Sequence, residues 1–240
     1  MTTIRAFAID IDGTMTENGN GIIYLPALQN LRYLENLGFK VIYVTGRSSI
    51  EAFVLAIFGG TTKISVGENG GVITTGPNDH ILLASKDECL KGLNILNSVI
   101  GNSVRIKNVI NRMTEVVLER SFDIKLGQKI LDDNNLDLYL NDSGYAYHIN
   151  QNCVNKGAGL SKALEYLKIS PANVVAIGDS ETDLSIFDLC GYSIALSHSK
   201  KEVKDKADYV VSSGPGQGVV EAIDYLSLNY FLENKRNGNR

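Results

Sequence analysis

The 240-residue chain is 44% hydrophobic, carries a formal net charge of −4 and contains three cysteines, enough apolar content for one large core or two small ones. The modest negative charge excludes a surface that holds nucleic acid or an anionic membrane by bulk electrostatics, so any anion must be met by a local site. Cys89, Cys153 and Cys190 are odd in number, far apart and outside any Cys-x-x-Cys pair, which excludes a disulfide framework and a zinc knuckle and points to free thiols in a reducing, cytoplasmic setting.

In chain order, short β-rich apolar runs alternate with helical patterns through the first third. Ile4–Ile11 reads as a buried strand, Leu25–Gly38 as a helix, Lys40–Val44 as a strand and Ser49–Phe58 as a helix. Such alternation marks βαβ units on a parallel sheet. Pro26 suits a helix start, Gly38 suits its stop, and Leu25, Leu28, Leu31, Leu34 and Leu37 form an apolar row between them. From about residue 81 the rhythm changes. Lys86–Ile100 and Ile124–Asn134 read as helices, whereas Val104–Arg120 and Leu136–Ile149 alternate apolar with charged residues, as half-exposed strands do. After residue 154 the first grammar returns, with a helix carrying Leu160, Ala163, Leu164 and Leu167 and buried strands at Val174–Ile177, Ser193–Leu196 and Tyr209–Val211. The expected fold is therefore α/β, a doubly wound, Rossmann-like parallel sheet over residues 1–80 and 155–229, with a smaller α+β domain inserted at 81–154 and a polar tail at 230–240. No segment is apolar for the length of a membrane span, and the first residues enter a strand without a signal-peptide pattern.

In a doubly wound sheet the carboxyl ends of the parallel strands converge on one rim, where ligands bind. Each unusual polar group falls at such an end: Asp10 and Asp12 after the first strand, Thr45-Gly46-Arg47 after the second, and Asp179 and Asp183 after Val174–Gly178. Lys156 opens a helix, so its ammonium and the helix N-terminus can face one anion. Carboxylates packed this closely repel unless a cation shares them. Oxygen-only ligands select a hard ion, and Mg²⁺ fits because it takes few protein carboxylates plus water and a substrate phosphate oxygen.

Asp10-Ile-Asp12-Gly13-Thr14, Thr45-Gly46-Arg47, Lys156-Gly157 and Gly178-Asp179-Ser180-x-x-Asp183 resemble, in order and spacing, the four motifs of the haloacid dehalogenase-like phosphatases. The inserted domain looks like the cap of the subgroup that holds Cof-type sugar phosphatases, sucrose-phosphate phosphatases and archaeal phosphoglycolate phosphatases, and its compact size is most similar to the last. The resemblance implies a phosphoric monoester hydrolase that works through an aspartyl phosphate. Asp10 would be the nucleophile and Asp12 the proton donor and acceptor. Thr45, Gly46, Arg47 and Lys156 would bind the substrate phosphoryl group, and Asp10, Asp12 (by its backbone carbonyl), Asp179 and Asp183 would hold Mg²⁺ directly or through water. Thr182 stands where the fourth motif often has asparagine, which leaves the role of that position open.

Competing readings fail on residues. An EF-hand needs glycine at its sixth position and glutamate at its twelfth, and Met15 and Gly21 stand there. Gly214-Pro-Gly-Gln-Gly218 lacks the Lys-Ser/Thr of a P-loop. A transport-type ATPase would carry threonine where Asp12 stands, whereas a phosphomutase would share Asp10, Asp12 and Mg²⁺ and stays open as an alternative, distinguished by keeping the phosphoryl group on a sugar. Asn69, in the turn Glu68-Asn69-Gly70-Gly71, is a candidate substrate contact; His80, His148 and His198 fit no metal spacing and read as structural or surface residues. The expected partner is a small phosphorylated metabolite, 2-phosphoglycolate before a sugar phosphate, acting on a monomer or homodimer. A substrate carboxylate would reward a further cation, and Arg112, beyond Arg105 and Lys107 on the same segment, is a candidate, with a solvated strand face as the competing reading.

Overall fold

A computed structural model describes residues 3–17 and 21–231; from residue 232 onward the expected tail lies outside them. An eight-stranded sheet is built from β1 (Ala6–Ile9), β2 (Lys40–Val44), β3 (Ser65–Gly67), β4 (Val72–Gly76), β5 (Asp79–Leu82), β9 (Val174–Gly178), β10 (Tyr192–Ala195) and β11 (Tyr209–Val210) in the order β11-β10-β9-β1-β2-β3-β4-β5. The first six strands of that order run parallel, and β4 and β5 extend the edge as an antiparallel hairpin. β1 is buried at every residue, as an apolar run without alternation requires of a central parallel strand. Its register pairs Ile9 with Tyr43 on one side and Ile177 on the other, so the chain leaves β1, β2 and β9 at one level. The strand order reverses at β1, which makes the rim above it the switch point of the sheet.

Helices α1 (Leu25–Asn36), α2 (Ser49–Gly59) and α8 (Gln217–Leu226) pack with the Phe7/Ile9/Tyr43 face of the sheet, while α5 (Lys156–Leu167) and α6 (Leu184–Leu189) pack on the Ala8/Ile42/Ala176 face with Val203 of α7 (Lys201–Lys206). The leucine row of α1 is only partly inward: Leu31 and Leu34 are fully buried, but Leu25 and Leu37 are 70% and 51% exposed. A strict i, i+3 row drifts by about 60° per step on a helix of 3.6 residues per turn, so its two ends wind off the buried face. α2 is started by a capping box, in which Ser48 Oγ accepts from the Ile50 amide and Glu51 accepts from the Ser48 amide.

The inserted part holds α3 (Lys86–Ile100), β6 (Val116–Leu118), α4 (Ile124–Asp133), β7 (Leu138–Asp142) and β8 (Tyr147–Gln151), with an antiparallel sheet ordered β6-β8-β7. Its apolar cluster, which includes Cys89, Leu96, Leu118, Leu131 and Ile149, is drawn from the insert alone. β5 straddles the expected boundary at residue 80/81 and pairs within the large sheet. The expected strand over Val104–Arg120 is interrupted: only a bridge at Ile106 and the short β6 pair, and the residues between them form a loop that reaches the rim. All three cysteines are free, and no described helix is long and apolar enough to cross a membrane.

Candidate active site

The rim carries a cavity of about 1190 Å³ whose floor is Asp10, Asp12, Thr45, Gly46, Arg47, Lys156 and Asp179 and whose roof is contributed by Arg112, His148 and residues 108–110 and 141–145 of the insert. The sequence-predicted residues thus converge, although they come from four separate elements. Asp10 leaves β1 and is 3% exposed; Lys156 opens α5, is equally buried, and is aimed by the Asn155 side chain, which caps that helix at the Ala158 amide.

Lys156 Nζ lies 2.6 Å from both Asp10 Oδ1 and Asp183 Oδ1. Burial works against its charge, but the two carboxylates outweigh it and raise its pKa. Asp10 is pushed the other way from what a nucleophile needs: burial first, then the charges of Asp183 and Asp179, hold its pKa well above the usual carboxylate range against the opposing pull of Lys156. Its second oxygen, Oδ2, is buried and has no hydrogen-bond partner among the described residues.

Carboxylate oxygens of Asp10, Asp179 and Asp183 all lie within 4.8 Å of one another. Three carboxylates against the single ammonium of Lys156 leave two negative charges, which one divalent cation neutralises, and the unpartnered Asp10 Oδ2 is an oxygen ligand in waiting. The residues present therefore fit a hard divalent ion. They contribute unequally. Asp179 is held from outside, with Thr14 Oγ1 donating to its Oδ1 at 2.8 Å and His198 Nε2 lying 3.2 Å from its Oδ2. Asp183 spends Oδ1 on Lys156 and Oδ2 on the Asp179 amide, the Ser180 amide and the Ser180 hydroxyl, so it shapes the loop that presents Asp179. Thr182 joins that loop through a 2.9 Å contact between its hydroxyl and that of Ser180. Gly13 is needed here: its φ is +84°, and a Cβ would stand 2.5 Å from Asp179 Oδ2.

The Asp12 carboxylate stands apart from that cluster. Arg47 grips it with two bonds of 2.7 Å, from Nε to Oδ2 and from Nη2 to Oδ1, and reaches Glu51 with Nη1 at 3.2 Å. Arg47, expected on the phosphoryl group, thus has its fork committed to Asp12. The Asp12 bonds, more than burial opposes, raise the pKa of Arg47. Thr45 Oγ1 accepts from the Arg47 amide, and Asn69 lies against Gly46 with a buried, unpartnered Nδ2 in the cavity wall.

Two groups were not read from the sequence as part of the site. His198, which the sequence reads as structural or surface, follows β10 on the same rim and touches Asp179; its position at a strand end is the available signal. The other is Glu68, at φ +54° in the turn after β3, whose buried carboxylate accepts from the Met113 and Thr114 amides and the Thr114 hydroxyl at 2.8–2.9 Å and so joins the large sheet to the insert. Burial and the charge of Glu115 raise its pKa despite those donors. Arg112 Nη1 makes a second link, donating to the Gly46 carbonyl at 2.9 Å. It is backed by Glu115, which pairs with Arg112 at 3.1 Å and with His148 Nδ1 at 3.0 Å. Arg105 pairs with Glu119, and Lys107 lies over the ring of Tyr145, a residue of the roof.

The phosphoglycolate phosphatase of Nitrosopumilus maritimus is 53% identical over 223 residues, 93% of this chain and 96% of that protein. That of Archaeoglobus fulgidus is 35% identical over 225 residues, 93% and 97% of the two chains. A crystal structure from Thermoplasma acidophilum shares the fold at a TM-score of 0.85, with 22% identity, 94% of this chain and 99% of that one covered. A haloacid dehalogenase-like hydrolase from Bacteroides thetaiotaomicron does so at 0.78, with 18% identity, 93% of this chain and all of that one covered. The model of the haloacid dehalogenase-like hydrolases matches residues 7–97 and 94–223, and with four motif segments brought to one rim the chain belongs to that family.

Proposed function

We propose that this enzyme is a phosphoglycolate phosphatase, hydrolysing 2-phosphoglycolate to glycolate and phosphate with Mg²⁺ as its metal. The observation that carries the reading is the Asp10 carboxylate, one oxygen held by Lys156 and the other unpartnered at the cavity floor. The relationship to two phosphoglycolate phosphatases across nearly the whole chain supports the choice of substrate.

In the reaction an Asp10 oxygen attacks phosphorus, the bond from phosphorus to the glycolate oxygen breaks, and the leaving oxygen takes a proton from Asp12. Asp12 then accepts a proton from the water that attacks the aspartyl phosphate, releasing phosphate and restoring Asp10. Arg47 holds Asp12 beside the site and frees one of its oxygens for the proton transfers, and Lys156 and Thr45 meet the phosphoryl oxygens, with the Asn69 amide as a further donor. Asp10 and Asp179, with the Asp12 carbonyl, would hold Mg²⁺ on the loop that Asp183 shapes. The ion, when bound, neutralises charge on the transferring phosphoryl group.

The test is phosphate release with Mg²⁺ across 2-phosphoglycolate and a set of sugar phosphates, with Asp10→Asn alongside. Release led by phosphoglycolate and lost in the variant is expected. Release led by a sugar phosphate would replace the substrate assignment, and the cavity of about 1190 Å³ has room for one. Transfer of the phosphoryl group within a sugar, without release, would mark a mutase.

A further inference from the structure

We propose that Arg112 is the specificity residue that reads the carboxylate end of the substrate, an inference that rests on the phosphoglycolate assignment above. Its guanidinium lies in the wall of the cavity that holds Asp10 and Lys156, yet the residue is only 9% exposed. Nη1 is fixed by the Gly46 carbonyl, whereas Nε is shielded from solvent and has no partner among the described residues. A guanidinium offers five N–H donors in a planar fork, and a buried donor left unmet destabilises the fold. A carboxylate that seats on Arg112 and displaces the atoms now covering Nε supplies two parallel acceptors and removes that cost.

Glu115 does not fill this role. Its Oε2 is taken by His148 at 3.0 Å and by the Asn150 amide at 3.1 Å, and its Oε1 faces Nη1, the nitrogen already anchored. The pair keeps the guanidinium buried and aimed, and leaves its Nε edge for a ligand. The other cations of the segment are spent, Arg105 on Glu119 and Lys107 over Tyr145. Because Arg112 is tied to the carbonyl of Gly46, next to Thr45, the carboxylate and phosphoryl ends of the substrate are read at a fixed separation. Short substrates with both ends charged are selected.

The experiment measures kcat/KM of the wild type and of Arg112→Gln and Arg112→Lys on 2-phosphoglycolate and on ethyl phosphate, which has the same chain length without the carboxylate. Arg112→Gln should lose about 100-fold on phosphoglycolate and less than about threefold on ethyl phosphate. Arg112→Lys should restore only part of the loss, because an ammonium cannot make the two-bond contact. Equal losses on both substrates would overturn the inference and reduce Arg112 to a brace for the Gly46 loop. Wild-type enzyme that fails to hydrolyse phosphoglycolate would overturn the substrate assignment and this inference with it. Should the variants not fold, the wild type decides: a large preference for phosphoglycolate over its uncharged carboxamide supports the contact, and equal rates exclude it.

Discussion

Asp10 meets two opposing demands, since burial and two neighbouring carboxylates favour its protonated form while attack on phosphorus requires the ionised one. Lys156 is shared with Asp183 and offsets only part of the penalty. Because the folded pKa is raised, the metal-free protein loses stability as pH climbs out of the ordinary carboxylate range toward that pKa. Asp10→Asn should therefore melt higher than the wild type in chelator at neutral pH, gain less on adding Mg²⁺, and lose at least three orders of magnitude in kcat. Equal Mg²⁺ shifts in scanning fluorimetry would show that Asp10 is not a ligand. At Arg47 the pair with Asp12 is about 40% exposed on both sides and is worth under about 1 kcal/mol of stability. Arg47→Lys should thus leave the melting temperature nearly unchanged while kcat drops about tenfold, with KM moving less, as a residue acting through Asp12 requires; a KM effect alone would assign it to phosphoryl binding. Asp10, Asp12, Thr45, Asp179 and Lys156 were legible because each ends a strand or opens a helix. His198 obeys the same rule, although it fits no metal spacing. Glu68 left no local trace, because its partners lie 45 and 46 residues along the chain, and Glu115 shows locally only its pairing with Arg112, its other partners His148 and Asn150 being distant.

Among the elements, the start of α5 is pressed against a neighbouring turn. Gly70 has φ +104°, and a Cβ there would stand 1.9 Å from the Asn155 carbonyl, at the cap that aims Lys156. Gly70→Ala should cost about 1–3 kcal/mol and lower kcat by shifting the start of α5; an unchanged melting temperature and kcat would show the contact to be soft. In the insert, Glu115 is fully buried, and His148 and Arg112 outweigh burial to lower its pKa. A depressed folded pKa stabilises above the unfolded value and ceases to do so as pH falls through the folded one. Glu115→Gln should cost about 3–5 kcal/mol near pH 7, shrinking in acid, in urea titrations at the two pH values. Those elements that the sequence reading names lie within a few residues of the observed ones, because 3.6 and 2.0 periodicities are local, whereas β3, β4, β5, α6 and α7 are too short to show a period and go unread. The loop before β6 was read as strand, because residues that line a cavity alternate much as those on a half-wet sheet do.

At the scale of the whole molecule, the two ends of the insert leave the large sheet side by side: the Ser85 amide meets Gln151 Oε1 at 2.7 Å, and Cys153 Sγ lies 3.8 Å from the Leu83 carbonyl. With its own apolar cluster, the insert has the anatomy of a separate domain. Replacing residues 84–152 by a short Gly-Ser linker should leave a cooperatively melting core that hydrolyses small phosphomonoesters slowly and without preference for a carboxylate; circular dichroism and phosphate release test both points, and loss of the melt would show that the two parts fold as one. The seam that this excision cuts is gripped by Glu68, and what Glu68 grips is chiefly main chain, the amides of Met113 and Thr114, with one hydroxyl. Amides are supplied by every residue except proline. Side chains around that segment can therefore drift over evolutionary time, retuning what enters the cavity, while the roof stays seated on the same carboxylate.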